Sequence, residues 1–188
     1  MSLVVYYDGW LAGDSVLMLG ESQLRGPKVF PYRTATGEIG VFGTVGNLSA
    51  AHDLMKAYIQ GGEEAYRKEL LRLGEINEDL WCEMLIVPKD AHYMLLAGAH
   101  ESLFRVPVQD VAIGFSTAVN HAMSMMKDKA TDVRGLTALS VVQRVIHMQE
   151  YANDKYVCGP VEYYSIREVS QKMLTMIKDD PINGQFII

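Results

Sequence analysis

The alternation of apolar and polar positions divides the chain into short extended runs and longer helical ones. Residues 3–7 (Leu-Val-Val-Tyr-Tyr) meet Asp8-Gly9 and return as Trp10-Leu11-Ala12-Gly13-Asp14-Ser15. Asp-Gly between two apolar runs predicts a β-hairpin, because a type I′ turn requires positive φ at both central residues. A two-residue turn fixes the register: Tyr7 faces Trp10, Leu3 faces Asp14 and Ser2 faces Ser15. Residues 28–32 and 39–44, separated by Thr36-Gly37, predict two more strands. From residue 48 to about residue 60, Leu48, Ala51, Leu54, Met55 and Tyr58 share one face of a helix that Gly61-Gly62 ends. Residues 63–73 continue as a charged amphipathic helix.

Residues 80–87 and 92–97 predict a second hairpin around Pro88-Lys89-Asp90-Ala91, which 103–106 and 111–113 extend. Helices are expected over 118–126 and 136–151, then a strand at 161–165 and a helix from 166 to about 177. The order is therefore sheet, helices, sheet, helices, sheet. No repeat, linker or low-complexity tract interrupts it, so a single domain over residues 1–188 is expected.

Composition narrows the classes. A 49% apolar content with no run near the roughly 18 apolar residues needed to span a bilayer predicts a folded protein with no membrane partner. The start of the chain lacks a basic region followed by a cleavable apolar segment, so secretion is not expected. Cys82 and Cys158 form no disulfide framework, which suits a reducing cytoplasm. A net charge of −6 with scattered Lys and Arg argues against nucleic acid. The histidines have no ligand spacing and no phosphate loop is present, so neither metal nor cofactor is expected.

The hairpin register puts the Asp14 carboxylate beside the chain terminus, where it needs a partner. Lys28, entering a strand whose neighbours Val29 and Phe30 suggest burial, is the candidate. A serine hydroxyl is a weak nucleophile without an adjacent base. At a chain terminus the residue's own α-amine can be that base, with an unperturbed pKa of roughly 7.7–8.0. Ser2 gains such an amine once Met1 is removed, and a small second residue favours that removal. An ammonium at Lys28 would stabilise the developing alkoxide, with Asp14 orienting it and keeping it charged.

Five motifs, in order along nearly the whole chain, resemble those of proteasome β-subunits and the bacterial peptidase HslV, the N-terminal nucleophile (Ntn) hydrolases. They are Ala12-Gly13-Asp14-Ser15; Lys28-Val29; the glycine-centred turn Gly43-Thr44-Val45-Gly46-Asn47-Leu48 into a helix; Val111-Ala112-Ile113-Gly114-Phe115-Ser116; and Asp154-Lys155-Tyr156-Val157-Cys158-Gly159-Pro160. The resemblance implies an α+β fold, a four-layer αββα sandwich of two antiparallel sheets flanked by helices. It implies a threonine-type peptidase subunit that cleaves peptide bonds with Ser2, Lys28 and Asp14, aided by Asp154. Phe115 stands where the family carries a serine, leaving Ser116 or Thr117 as the hydroxyl that could substitute. Val157 or Cys158 replaces the serine of the last motif.

By the same resemblance the Gly46 amide serves the oxyanion, and substrate lies along Met18 and Gly46–Leu48. Phe30, Thr44 and Leu48, with Leu17, line an uncharged pocket. The implied partners are further copies of the chain in a ring or stacked rings, an unfolded protein or peptide substrate, and an ATP-dependent unfoldase. A catalytically silent subunit and a small-molecule amidohydrolase of the same fold are the alternatives.

Overall fold

Asp8 and Gly9 both take positive φ, 47° and 80°, as a type I′ turn demands. Val4 pairs with Gly13, Val5 with Ala12, Tyr6 with Leu11 and Tyr7 with Trp10, the register that turn dictates. A computed structural model describes residues 2–19, 22–76, 81–97, 103–128, 137–151, 157 and 159–169. In chain order its elements are β1 (Leu3–Tyr7), β2 (Trp10–Gly13), β3 (Val16–Leu19), β4 (Ser22–Arg25), β5 (Val29–Arg33), β6 (Ile39–Gly46) and α1 (Leu48–Ile76). After them come β7 (Cys82–Pro88), β8 (Tyr93–Ala97), β9 (Phe104–Pro107), β10 (Val111–Gly114), α2 (Ser116–Lys127), α3 (Ala138–Tyr151) and β11 (Glu162–Ser165).

The chain forms two compact units. The first comprises residues 1–29 and 109–165 and the second residues 30–108 and 166–188. In the first, an antiparallel sheet runs in the order β10-β1-β2-β11, and β3 pairs with β4 in a separate hairpin. Helices α2 and α3 pack on this sheet. On α3, Ala138, Val141, Val142, Val145 and Ile146 are buried at three- and four-residue spacing. They join Leu3, Val5, Ala12, Ala112, Ala118, Ala122, Met126 and Val157 in one core. Thr137 and Ser140 cap α3 reciprocally: the Ser140 N–H donates to Thr137 Oγ1 (3.2 Å) and the Thr137 N–H to Ser140 Oγ (2.9 Å).

The second unit holds the sheet β5-β6-β7-β8-β9, on which α1 packs through β6 and β7. Asn47 starts α1 by accepting the Ala50 N–H on Oδ1 at 3.0 Å. The helix bends at Gly61-Gly62, whose backbone leaves helical geometry where a break was expected. Its inner face (Ala51, Leu54, Met55, Tyr58) meets Phe30, Tyr32, Phe42, Met84 and Ile86. Tyr32 is fully buried, and its hydroxyl is satisfied by donating to Glu38 Oε1 at 3.0 Å, as is that of Tyr58. Among the described residues no helix is long and apolar enough to cross a membrane.

One expectation needs correction. Residues 111–113 do not extend the second hairpin: β10 instead pairs with β1, with Leu3 opposite Gly114 and Tyr6 opposite Val111. Pro107, which has no N–H to continue a ladder, ends β9, and the Asp8 N–H reaches Asp110 Oδ1 at 3.4 Å as the chain enters the first sheet. The β3–β4 hairpin was not anticipated. The helix expected over 166–177 lies largely outside the described residues.

Burial pushes the Cys82 thiol up to about 11, and its sulfur lies 3.7 Å from Thr44 Oγ1. Since the thiolate is the reactive form, Cys82 in a Cys158→Ser protein should label with a maleimide at pH 7.5 at least about a hundredfold more slowly than the urea-unfolded chain. Equal rates would show that the strand pair β6–β7 opens freely.

Candidate active site

Each candidate catalytic side chain in the first unit is placed by a turn or a strand end. Asp14 follows β2 immediately, where the ladder stops, and its own N–H donates to the Leu3 carbonyl at 3.1 Å. Oδ1 accepts the Leu3 N–H at 2.7 Å, and Oδ2 accepts the Val16 N–H at 3.2 Å. Strict alternation along a strand would assign Asp14 to the face of Leu3. The carboxylate instead bonds to the backbone amide that follows Ser2.

Lys28 occupies the bend just before β5, and its ammonium donates to both Asp14 oxygens, at 2.9 and 2.8 Å. Asp14 is 0% and Lys28 2% exposed, so the ion pair is cut off from water. Burial pushes the Asp14 carboxyl above the usual carboxylate range, while Lys28 and the Leu3 and Val16 amides pull it back. Desolvating two charges costs several kcal/mol per ion on the order-of-magnitude scale. A hydrophobic pair would hold these strands together at least as well, which makes a buried Lys–Asp pair a functional-site candidate.

Ser2 is buried, and both polar groups of the Ser2–Leu3 peptide are held. The Leu3 N–H goes to Asp14, and the Ser2 carbonyl accepts the Phe115 N–H at 2.9 Å. Gly114 makes that second bond sterically feasible. With φ at 126°, a Cβ there would collide with the Ser2 carbonyl oxygen. Ser2, Asp14 and Lys28 are thus gathered by β1, β2, β10 and the bend before β5. Ser116 lies exposed in the first turn of α2. Asp154 and Cys158 lie outside the described residues.

The candidate binding residues of the second unit have the following surroundings. Gly46 ends β6 at φ 93°, a value that favours glycine, and a Cβ on it would meet the Trp81 carbonyl and indole. The neighbouring Asn47 N–H donates to the Trp81 carbonyl at 2.8 Å. Phe30 stacks on Phe42 with ring centroids 5.0 Å apart. The Thr44 hydroxyl donates to the Glu83 carbonyl at 3.4 Å, and Leu48 is half-buried at the start of α1. Met18 pairs with Gln23 across β3–β4 in the first unit. Among the described residues no group of three His, Cys, Asp or Glu side chains is placed to hold a metal ion.

One carboxylate at this centre was missed from sequence. Glu162, at the start of β11, pairs with Gly13, the residue just before Asp14, and burial pushes its carboxyl above the ordinary range. A lone glutamate in a short strand carries no spacing signal that could have singled it out.

No family model matches the chain, and no curated protein matches it in sequence. Solved structures do match in fold. The Gly-1 mutant of Anbu from Hyphomicrobium sp. strain MC1 is 12% identical and has a TM-score of 0.61, covering 87% of this chain and 80% of its own. BPH from Thiobacillus denitrificans, solved in complex with epoxomicin, is 15% identical with a TM-score of 0.57, covering 87% of this chain and 96% of its own. Eukaryotic HslV from Trypanosoma brucei is 15% identical with a TM-score of 0.52 over 87% of this chain and 97% of its own. The likeness covers both units, as the sequence motifs led one to expect: this chain has the α+β, proteasome/HslV-like fold of the Ntn hydrolases.

Proposed function

We propose that the chain is a peptidase subunit that cleaves peptide bonds with Ser2 as an N-terminal nucleophile after removal of Met1. The observation that carries this reading is the buried Asp14–Lys28 pair, bonded to the amide that directly follows Ser2. In the mechanism, the Ser2 α-amine takes the hydroxyl proton as Oγ attacks the scissile carbonyl. Lys28 stabilises the developing negative charge, and Asp14 keeps Lys28 protonated and aimed. The tetrahedral intermediate collapses to a Ser2 ester as the leaving amine takes the proton. Water, activated by the same amine, then releases the second product. The resemblance gives the oxyanion role to the Gly46 amide, leaves Asp154 and Ser116 as supporting polar groups, and gives the substrate strand to Met18 and Leu48. By the same resemblance, Phe30 and Thr44 would line the pocket that receives the residue before the cut.

Copies of the chain would enclose this site in a ring or stacked rings in the cytoplasm, fed with unfolded protein by an ATP-dependent unfoldase. Exposed Leu71, Ile76, Phe104 and Met148 supply apolar surface for such contacts. Light scattering that shows a monomer at micromolar concentration would remove the compartment from this account.

The test is hydrolysis of a fluorogenic peptide series by protein whose Met1 has been removed. Activity is expected, rising to a plateau above about pH 8 as the α-amine loses its proton. Cleavage after Leu or Tyr should exceed cleavage after Arg or Glu, since a charge entering an uncharged pocket finds no partner. Faster cleavage after Arg or Glu refutes the pocket; hydrolysis of acylated amino acids but not of peptides would identify a small-molecule amidohydrolase.

A silent structural or regulatory subunit is the second reading. It is favoured by Phe115, an apolar side chain that packs against the first unit's core where the family carries a serine. Phe115→Ser separates the two readings: activity gained only on that change favours the silent subunit.

A further inference from the structure

Trp81, the residue just before β7, lies against the segment 46–48. A Cβ on Gly46 would come within 2.6 Å of the indole Cε3 and would collide with the Trp81 carbonyl oxygen. Gly46 also holds φ at 93°, so the backbone angle and the indole both call for glycine there. The Trp81 carbonyl accepts the Asn47 N–H at 2.8 Å, and Asn47 Oδ1 accepts the Ala50 N–H at 3.0 Å. Indole, segment and the start of α1 are thus fixed to one another. Gly46 and Asn47 are exposed, Leu48 is half-buried, and Trp81 stays 39% exposed despite its contact with Gly46. No charged residue occurs from Gly46 to Ala51, nor at Trp81 or Cys82. An indole left partly in water gains when an apolar group covers it, and one held in place by its backbone loses little freedom in doing so.

We infer that Trp81 is a specificity-determining residue: its exposed indole surface receives an apolar or aromatic side chain of a peptide laid along Gly46–Leu48. This rests on reading Gly46–Leu48 as the substrate strand. The side chain received is not the one before the cut, because Phe30 and Thr44 of that pocket are buried whereas Trp81 is open to solvent.

The experiment uses Ser2→Ala protein with Met1 removed, so that binding is read without turnover. The probes are acetylated tetrapeptide amides ending in Leu, with Phe, Ala or Lys in turn at each of the three preceding positions. Calorimetry gives the affinity, and tryptophan emission reports on the indole. At one position Phe should bind about tenfold more tightly than Ala, the scale of one well-packed aromatic pair, and Lys no more tightly than Ala. Adding Trp81→Phe should abolish the emission change while keeping the preference within about threefold, since a ring remains. Adding Trp81→Ala, or Trp81→Gln should that protein not fold, should bring the Phe-to-Ala ratio down to about one. The ratio is the readout because general loosening of the site weakens both peptides alike. A Phe preference that survives in Trp81→Ala overturns the inference, as does a preference for Lys or no Phe preference at any position. A Trp81-dependent preference alongside a Met1-free wild type that cleaves no peptide refutes the peptidase reading alone. Cleavage with a preference independent of Trp81 refutes this inference alone.

Discussion

Lys28→Ala should abolish hydrolysis and also lower folding stability by about 3–5 kcal/mol, the usual cost of leaving one member of a buried ion pair alone. Asp14 is fully buried, and its two oxygens accept four hydrogen bonds, of which Lys28 supplies two. Without the lysine the carboxylate must stay charged at high cost or take up a proton, and either outcome removes the cation proposed to stabilise the alkoxide. Urea unfolding and peptide hydrolysis at one fixed protein concentration separate the two effects. The double variant Asp14→Asn with Lys28→Met removes both charges, and the asparagine oxygen can still accept the Leu3 N–H. It should regain most of the lost stability while remaining inactive. Full activity in a correctly folded Lys28→Ala protein would refute the role given to the pair, and inactivity explained wholly by unfolding would leave the double variant active.

Gly114→Ala should be the most damaging single methyl addition at the site, with a loss of about 3 kcal/mol or more. Two costs combine: backbone strain at positive φ, about 1–3 kcal/mol, and overpacking, about 1–3 kcal/mol. Here φ is 126° and the added carbon would run into the Ser2 carbonyl oxygen. The β10–β1 pairing would have to shift, and with it Ser2, the proposed nucleophile. Gly37 is a natural control, since its φ is 92° but nothing lies within 4 Å of an added Cβ. Gly37→Ala should therefore show only the strain, about 1 kcal/mol, with activity retained. Thermal unfolding of the two variants decides it: equal losses would mean that Gly114 does not define the position of Ser2.

The hairpin at residues 3–13 was legible because Asp8-Gly9 fixes both the turn type and the register, and the neighbourhood of Asp14 and Lys28 followed from that register. The pairing itself was legible too, since a buried carboxylate needs a cation and Lys28 enters a strand whose neighbours Val29 and Phe30 suggest burial. The placement of β10 was not. A short apolar strand does not say which sheet it joins, and sequence adjacency favoured its neighbours β8 and β9 over β1, more than a hundred positions away. The β3–β4 hairpin was missed because its second strand, Ser22-Gln23-Leu24-Arg25, is mostly polar and carries no apolar pattern to mark it. The direction of the Asp14 carboxylate was hidden because the residue sits past the end of β2, where strand alternation no longer governs the side chain. Glu162 was invisible because its nearness to Asp14 depends on a pairing with Gly13 that only the folded sheet reveals.

The most direct test of the central claim is the covalent product formed with a peptide epoxyketone. Such a probe carries a ketone and an epoxide on adjacent carbons, and a stable ring forms only when a hydroxyl and a free amine attack from one residue. Protein with Met1 removed should gain the full mass of the probe, with peptide mapping placing it on Ser2 through both Oγ and the α-nitrogen. Protein retaining Met1, and the Ser2→Ala variant, should gain nothing. An adduct of equal yield on the Met1-retaining protein, or one mapped to Ser116 or Cys158, would contradict an N-terminal serine nucleophile.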